Sequence, residues 1–168
     1  MEILGSWTFP SIKSLSLAGF GVSLGVISFL ITHGHQFQYF NLQFSTDLVQ
    51  ETIRQMPDLE DFTYNICQNL NIMLSHSNVQ TVVLNGFENV QDFTKVMQQH
   101  LTFVFCNLLS EIYFPCVVSI RIIDCCILSQ KNTNGGCPLW LKGAWILLIE
   151  GTERRKIMLY DQNGFYHD

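Results

Sequence analysis

The chain has 168 residues, of which 14% are charged, with nine basic and fourteen acidic side chains and a formal net charge of −5. That is a one-domain length, long enough to bury a sizeable core. The acidic balance, with Arg154-Arg155-Lys156 as the only basic run, argues against a nucleic-acid surface, which needs a basic face or stripe.

Charge is low throughout. Without residues 1–35 the remainder is still only about 16% charged, against about 25% in ordinary soluble domains. Such a composition fits a surface covered by a partner or facing a membrane. Residues 1–13 mix Ile3, Leu4, Trp7 and Phe9 with Gly5 and Pro10 and read as an irregular lead-in. Ser14–Thr32 then runs for nineteen residues without a charge, at a mean hydropathy of about +1.8. As a helix it would extend about 28 Å, close to the hydrocarbon thickness of a bilayer. Gly21 and Gly25 form a GxxxG of the kind found on packed membrane helices. Yet Phe20, Val22, Leu24 and Val26 alternate with Gly and Ser, which is the period of a strand. The stretch therefore reads either as a membrane span or as a buried strand. It divides the chain into a hydrophobic segment, 1–35, as a possible membrane anchor and a compact mixed α/β domain, 36–168.

Beyond it, Phe37, Tyr39, Leu42 and Phe44 suggest a strand. Asp47–Met56 is a short helical candidate stopped before Pro57. The next stretch, PDLEDFTYNICQNLNIML, continues as a helix, with Leu59, Phe62, Ile66, Leu70 and Met73 on one face and Pro57 and three acids suited to its first turn. Val79–Phe87 reads as a buried strand. A long helix follows from about Val90 to Phe114, on the spacing of Val90, Phe93, Met97, Leu101, Val104, Leu108 and Ile112. Cys116–Leu128 is a second β-rich run, and these last three elements form one βαβ unit. Leu101 and Leu108 are expected in its core. Ser129–Pro138 is a loop. WILLIE and KIMLYD flank GTERR and read as a C-terminal β-hairpin. No internal repeat, linker or low-complexity segment is visible.

Few residues point to chemistry. His33 and His35, two apart on a strand, would share a face and could share a metal, but no neighbouring carboxylate or cysteine completes a site. The six cysteines show no CxxC and no zinc-ligand spacing, and the chain has neither a GxGxxG nor a Walker lysine. No metal or cofactor is expected. Cys67, Cys106, Cys116, Cys125 and Cys126 lie in apolar segments and read as buried, inert thiols. Cys137, after Gly135-Gly136 in the loop, is the reactive-thiol candidate. Trp140 and Trp145 either anchor the hairpin in the core or present an aromatic contact surface.

Two short resemblances bear on function. FLITHG resembles the strand-then-His-Gly segment of caspase-like cysteine proteases. In that family the nucleophilic Cys follows a later strand, whereas the corresponding VQTVVLNGF offers Leu84, Asn85 and Gly86 and no Cys. The resemblance implies an inactive relative. WLKGAWILLIE resembles loosely the Trp-Gly helix segment of Bcl-2-like proteins, but Trp140 and Trp145 are five apart and no Asn-Trp-Gly-Arg precedes them.

Three function classes fit these readings. The first is a non-enzymatic interaction or accessory protein, possibly membrane-anchored, acting through protein–protein contacts. The second is a soluble, oligomeric α/β binding or scaffold domain. The third is a cysteine- or histidine-dependent hydrolase, or the inactive caspase-like relative. The missing motifs favour a non-enzyme whose partner is another protein or a second copy, with a membrane still open and no nucleic acid. The expected location is membrane-associated on the first reading and cytoplasmic on the alternative.

Overall fold

The computed structural model describes residues 12–17, 24–42, 48–65, 73–85, 95–123 and 139–161, with the side chains of 95–98 and 139–142 excepted. Among these residues six strands form one sheet: β1 (Ser14–Leu17), β2 (Tyr39–Leu42), β3 (Asp61–Asn65), β4 (Thr81–Asn85), β5 (Ser119–Ile122) and β6 (Met158–Tyr160). Every pairing is parallel, and the order in space is the order in sequence. Among the described residues four helices occupy the connections: α1 (Leu24–His33), α2 (Val49–Arg54), α3 (Lys95–Leu108) and α4 (Leu139–Arg155).

The core explains the layering. Strand residues alternate, and the inward ones form rows across the sheet. Leu15, Phe40, Phe62, Val82, Ile120 and Leu159 stand in one register row, and Leu17, Leu42, Tyr64, Leu84 and Ile122 in the next. All share one cluster with Leu30 of α1, Ile53 of α2, Leu101, Val104, Phe105 and Leu108 of α3, and Ala144 and Leu148 of α4. The helices thus cover a single face. Phe40 stacks on Phe62, its register neighbour, with ring centroids 5.9 Å apart and planes at 9°. On α3 the buried apolar positions Leu101, Val104, Phe105 and Leu108 fall at i, i+3, i+4 and i+7, one stripe of a helix. On α4, Ala144, Leu148 and Thr152 are buried at spacings of four.

A structural repeat underlies this arrangement. Four strands bury a residue three places before the first inward strand residue: Phe37/Phe40/Leu42, Leu59/Phe62/Tyr64, Val79/Val82/Leu84 and Val117/Ile120/Ile122. The strand starts repeat as well. The Lys13 carbonyl accepts from the N–H groups of both Gln38 and Tyr39. The Gln38 carbonyl accepts from Glu60 and Asp61, that of Glu60 from Gln80 and Thr81, and that of Gln80 from Val118 and Ser119.

The mixed α/β class and the βαβ unit of β4, α3 and β5 stand as read from sequence, and Leu101 and Leu108 lie in the core. Other readings are corrected. Ser14–Thr32 is neither one span nor one strand, because β1 ends at Leu17 and α1 begins at Leu24. Among the described residues no helix is long and apolar enough to cross a membrane, and the ten residues of α1 extend only about 15 Å. The transmembrane helix is therefore withdrawn. The division at residue 35 runs through a shared sheet and core, since β1 pairs with β2 and Leu30 is fully buried. The C-terminal hairpin gives way to α4 followed by β6, parallel to β5. WILLIE is a continuous apolar run, which periodicity alone cannot assign to strand or helix. The segment read as a helix from Leu59 onwards contains β3 instead. Leu59 and Phe62 are three apart because one precedes the strand and the other lies in it, an offset that imitates a helical turn.

Two backbone details fix the connections. The backbone of Gly34, in the 3₁₀ turn after α1, lies against the Gln55 carbonyl, which a Cβ at that position would overlap. At the end of α4, Lys156 N–H donates to Glu153 and Ile157 N–H to Thr152, while Lys156 adopts a left-handed φ of 57°. This is the 6→1 and 5→2 stop that ordinarily places glycine where Lys156 stands. Replacing Lys156 with Gly should remove the Cβ penalty and raise stability by about 1 kcal/mol, or roughly 2–4 °C in Tm. Thermal unfolding followed by circular dichroism checks this; an unchanged or lower Tm contradicts it.

Candidate functional site

The face of the sheet opposite the helices is not crossed by any described element. Its residues come in two register rows: Ser14, Tyr39, Asp61, Thr81, Ser119 and Met158, then Ser16, Asn41, Thr63, Val83, Arg121 and Tyr160. None of these is buried, whereas every inward residue of β2 to β6 is. A trough of about 420 Å³ follows this face, lined by residues of β1 to β5 that include Tyr39, Asn41, Asp61, Thr63, Val83 and Arg121. The Arg121 guanidinium lies over the Tyr160 ring, 5.8 Å from its centroid, within cation–π range.

A second cavity of about 360 Å³ lies at the rim where the strands begin, lined by polar side chains among which are Lys13, His35, Gln38, Asp58, Glu60, Gln80 and Cys116. Gln38 Nε2 donates to Glu60 Oε1 across neighbouring strands (3.4 Å). His35 and Cys116 line this cavity together, but among the described residues no hydrogen bond joins them. A thiol nucleophile needs such a bond to its base. Among the described residues no three His, Cys, Asp or Glu side chains come together to hold an ion.

His33 and His35 do not share a strand face. His33 ends α1, buried and 4.9 Å from the Phe29 ring, while His35 is exposed in the following 3₁₀ turn. FLITHG is therefore helical where the caspase-like segment requires a strand. Cys106 and Cys116 are exposed, which corrects their reading as buried thiols: α3 turns Cys106 outward between Phe105 and Asn107, and Cys116 lies in the loop before β5. Cys137, Cys67, Cys125 and Cys126 fall outside the described residues, as does the side chain of Trp140. Trp145 is half-buried on α4 and packs against the core. It is on the helical side, away from the trough.

The sequence reading did not single out the trough residues Asn41, Thr63 and Arg121. A signal for them exists in the residues between the buried strand positions, once the strands are aligned on the repeat. Comparisons with protein-family models, with curated proteins and with solved structures found no match.

The rim is braced by a neutral histidine. His76 Nδ1 accepts from Asn78 N–H (3.2 Å), so Nε2–H donates to the Met56 carbonyl (2.9 Å), tying the turn before β3 to that before β4. Burial holds the His76 pKa below its ordinary 6.5, and the Met56 bond opposes that only in part. Burial also lowers His100 on α3. In the unfolded chain both histidines take up a proton near pH 6.5; in the folded chain they do so only at lower pH. Their contribution to stability is therefore complete above pH 6.5 and is lost as pH falls through the window below it, each by at most about 1.4 kcal/mol per pH unit. Urea unfolding at pH 7.5 and pH 5.5 should show a smaller loss on acidification in the His76→Gln, His100→Gln double variant than in the parent; equal losses contradict the assignment.

Proposed function

We propose that this chain is a non-enzymatic interaction module that binds a partner protein on the open face of its sheet. The supporting observation is a six-stranded, all-parallel sheet with one face that no described element covers. Parallel sheets in doubly wound folds and barrels are covered on both faces. The exception is the solenoid, in which each repeat contacts only its neighbours and the exposed strand surface serves as an extended binding site. The buried L-x-x-L-x-L spacing, with one strand and one connection per unit, is the pattern of leucine-rich-repeat solenoids. The composition agrees, because a partner-covered face accounts for part of the low charge. Cys116 and His35 supply no assembled dyad to favour a hydrolase.

The test compares variants in affinity enrichment followed by quantitative mass spectrometry. Thr63→Arg and Val83→Arg place a bulky charge in the trough without entering the core. Ser28→Arg, on the exposed side of α1, serves as the control. Both trough variants should lose a protein that the parent and the control retain, by about tenfold or more, as expected for an obstructed interface centre. Equal recovery by all four proteins would remove the open face as the binding surface. Loss with the α1 control alone would move the site to the helical side.

A further inference from the structure

The open face carries its charge unevenly. Asp61 on β3 is the acid of the two outward rows and Arg121 on β5 the base, while Thr81 and Val83 on the intervening β4 are neutral, and all four line one trough. Among the described residues neither charge is cancelled: the side chain of Asp61 or Arg121 enters no ion pair or hydrogen bond. Arg121 is steadied by the Tyr160 ring instead, a contact that limits its motion and leaves its charge unpaired.

We propose that the trough binds a partner-protein segment carrying one basic and one acidic side chain, the basic one over β3 against Asp61 and the acidic one over β5 against Arg121. This rests on the reading of the open face as the binding surface. A polyanion such as nucleic acid or an anionic membrane would meet Asp61 and a net charge of −5; a uniformly basic partner would meet Arg121. A segment of mixed charge satisfies both ends. Spacing follows from the register. Arg121 is two strands across from Asp61 and two residues further along, so their Cα atoms lie about 12 Å apart at about 4.8 Å per strand and 3.3 Å per residue. An extended segment sets side chains of one face at i and i+4 about 13 Å apart; a helix sets i and i+7 about 10.5 Å apart. The two charges should therefore be separated by four residues in an extended partner or seven in a helical one.

The probe is a random peptide library displayed on phage and selected on the folded protein, with enriched peptides then synthesised and titrated. Enrichment of peptides with a Lys or Arg and an Asp or Glu at one of these spacings is the expected result. Arg121→Glu and Asp61→Lys should each weaken binding by about tenfold or more, because like charges then face each other. The doubly reversed protein should regain affinity for a peptide with its two charges exchanged. Neither residue belongs to the core, so the variants should keep the parent melting temperature. Peptides that lose binding to Val83→Arg but ignore both charge reversals would overturn this pairing and leave the open face as the binding surface. Peptides indifferent to Val83→Arg as well, or no enrichment at all, would overturn both.

Discussion

Parallel pairing constrains the whole molecule. A chain that leaves one end of a strand must return to the other end before it can form a parallel neighbour, and that return needs a connection of a dozen residues or more. Here every successive strand takes the adjacent place, so no connection skips over another, and the described helices share one core. The open face follows directly: with the described helices on one side, the other is left to the alternate residues of the strands.

The helices are also fastened to one another. Gly151 of α4 lies against the Leu109 side chain, which would have to shift to admit a Cβ there. Arg155 donates to the carbonyl of Leu108 at 3.2 Å, an acceptor left over where α3 ends, and to that of Phe114 at 2.9 Å in the loop before β5. Asn107 Oδ1 accepts from Leu74 N–H (3.0 Å), joining α3 to the loop before β4. These bonds tie α3, α4 and the loops beside them together without using any residue of the trough.

How much of this was legible in the sequence depends on the element. β4 and the inner stripe of α3 were clear, because Val82 and Leu84 alternate and Leu101, Val104 and Leu108 recur at helical spacing. β3 was hidden by Leu59 and Phe62, whose offset is the same in this repeat as on a helix. The repeat itself escaped notice because equivalent residues Ser14, Tyr39, Asp61, Thr81, Ser119 and Met158 have no constant separation, and periodicity is the usual sign of a solenoid. For the candidate site the difficulty was different. Asp61 and Arg121 are sixty residues apart and ordinary in type, and only strand register places them in one trough. The tryptophans drew attention by their chemistry, yet Trp145 packs on the helical side.

The carbonyls of Lys13, Gln38, Glu60 and Gln80 each accept two successive N–H groups from the next strand, so the start of each strand is positioned by the one before it. Assembly of the sheet is then directional in effect: a strand set correctly supplies the template for its successor, and an error in one start would be passed along the rest. The connections carry no such information. Loop-closure entropy rises only logarithmically with length, so the interval between β4 and β5 can be nearly twice that between β3 and β4 while the strands keep common register. Lengthening a connection would alter the outer surface of the molecule and leave the open face in alignment.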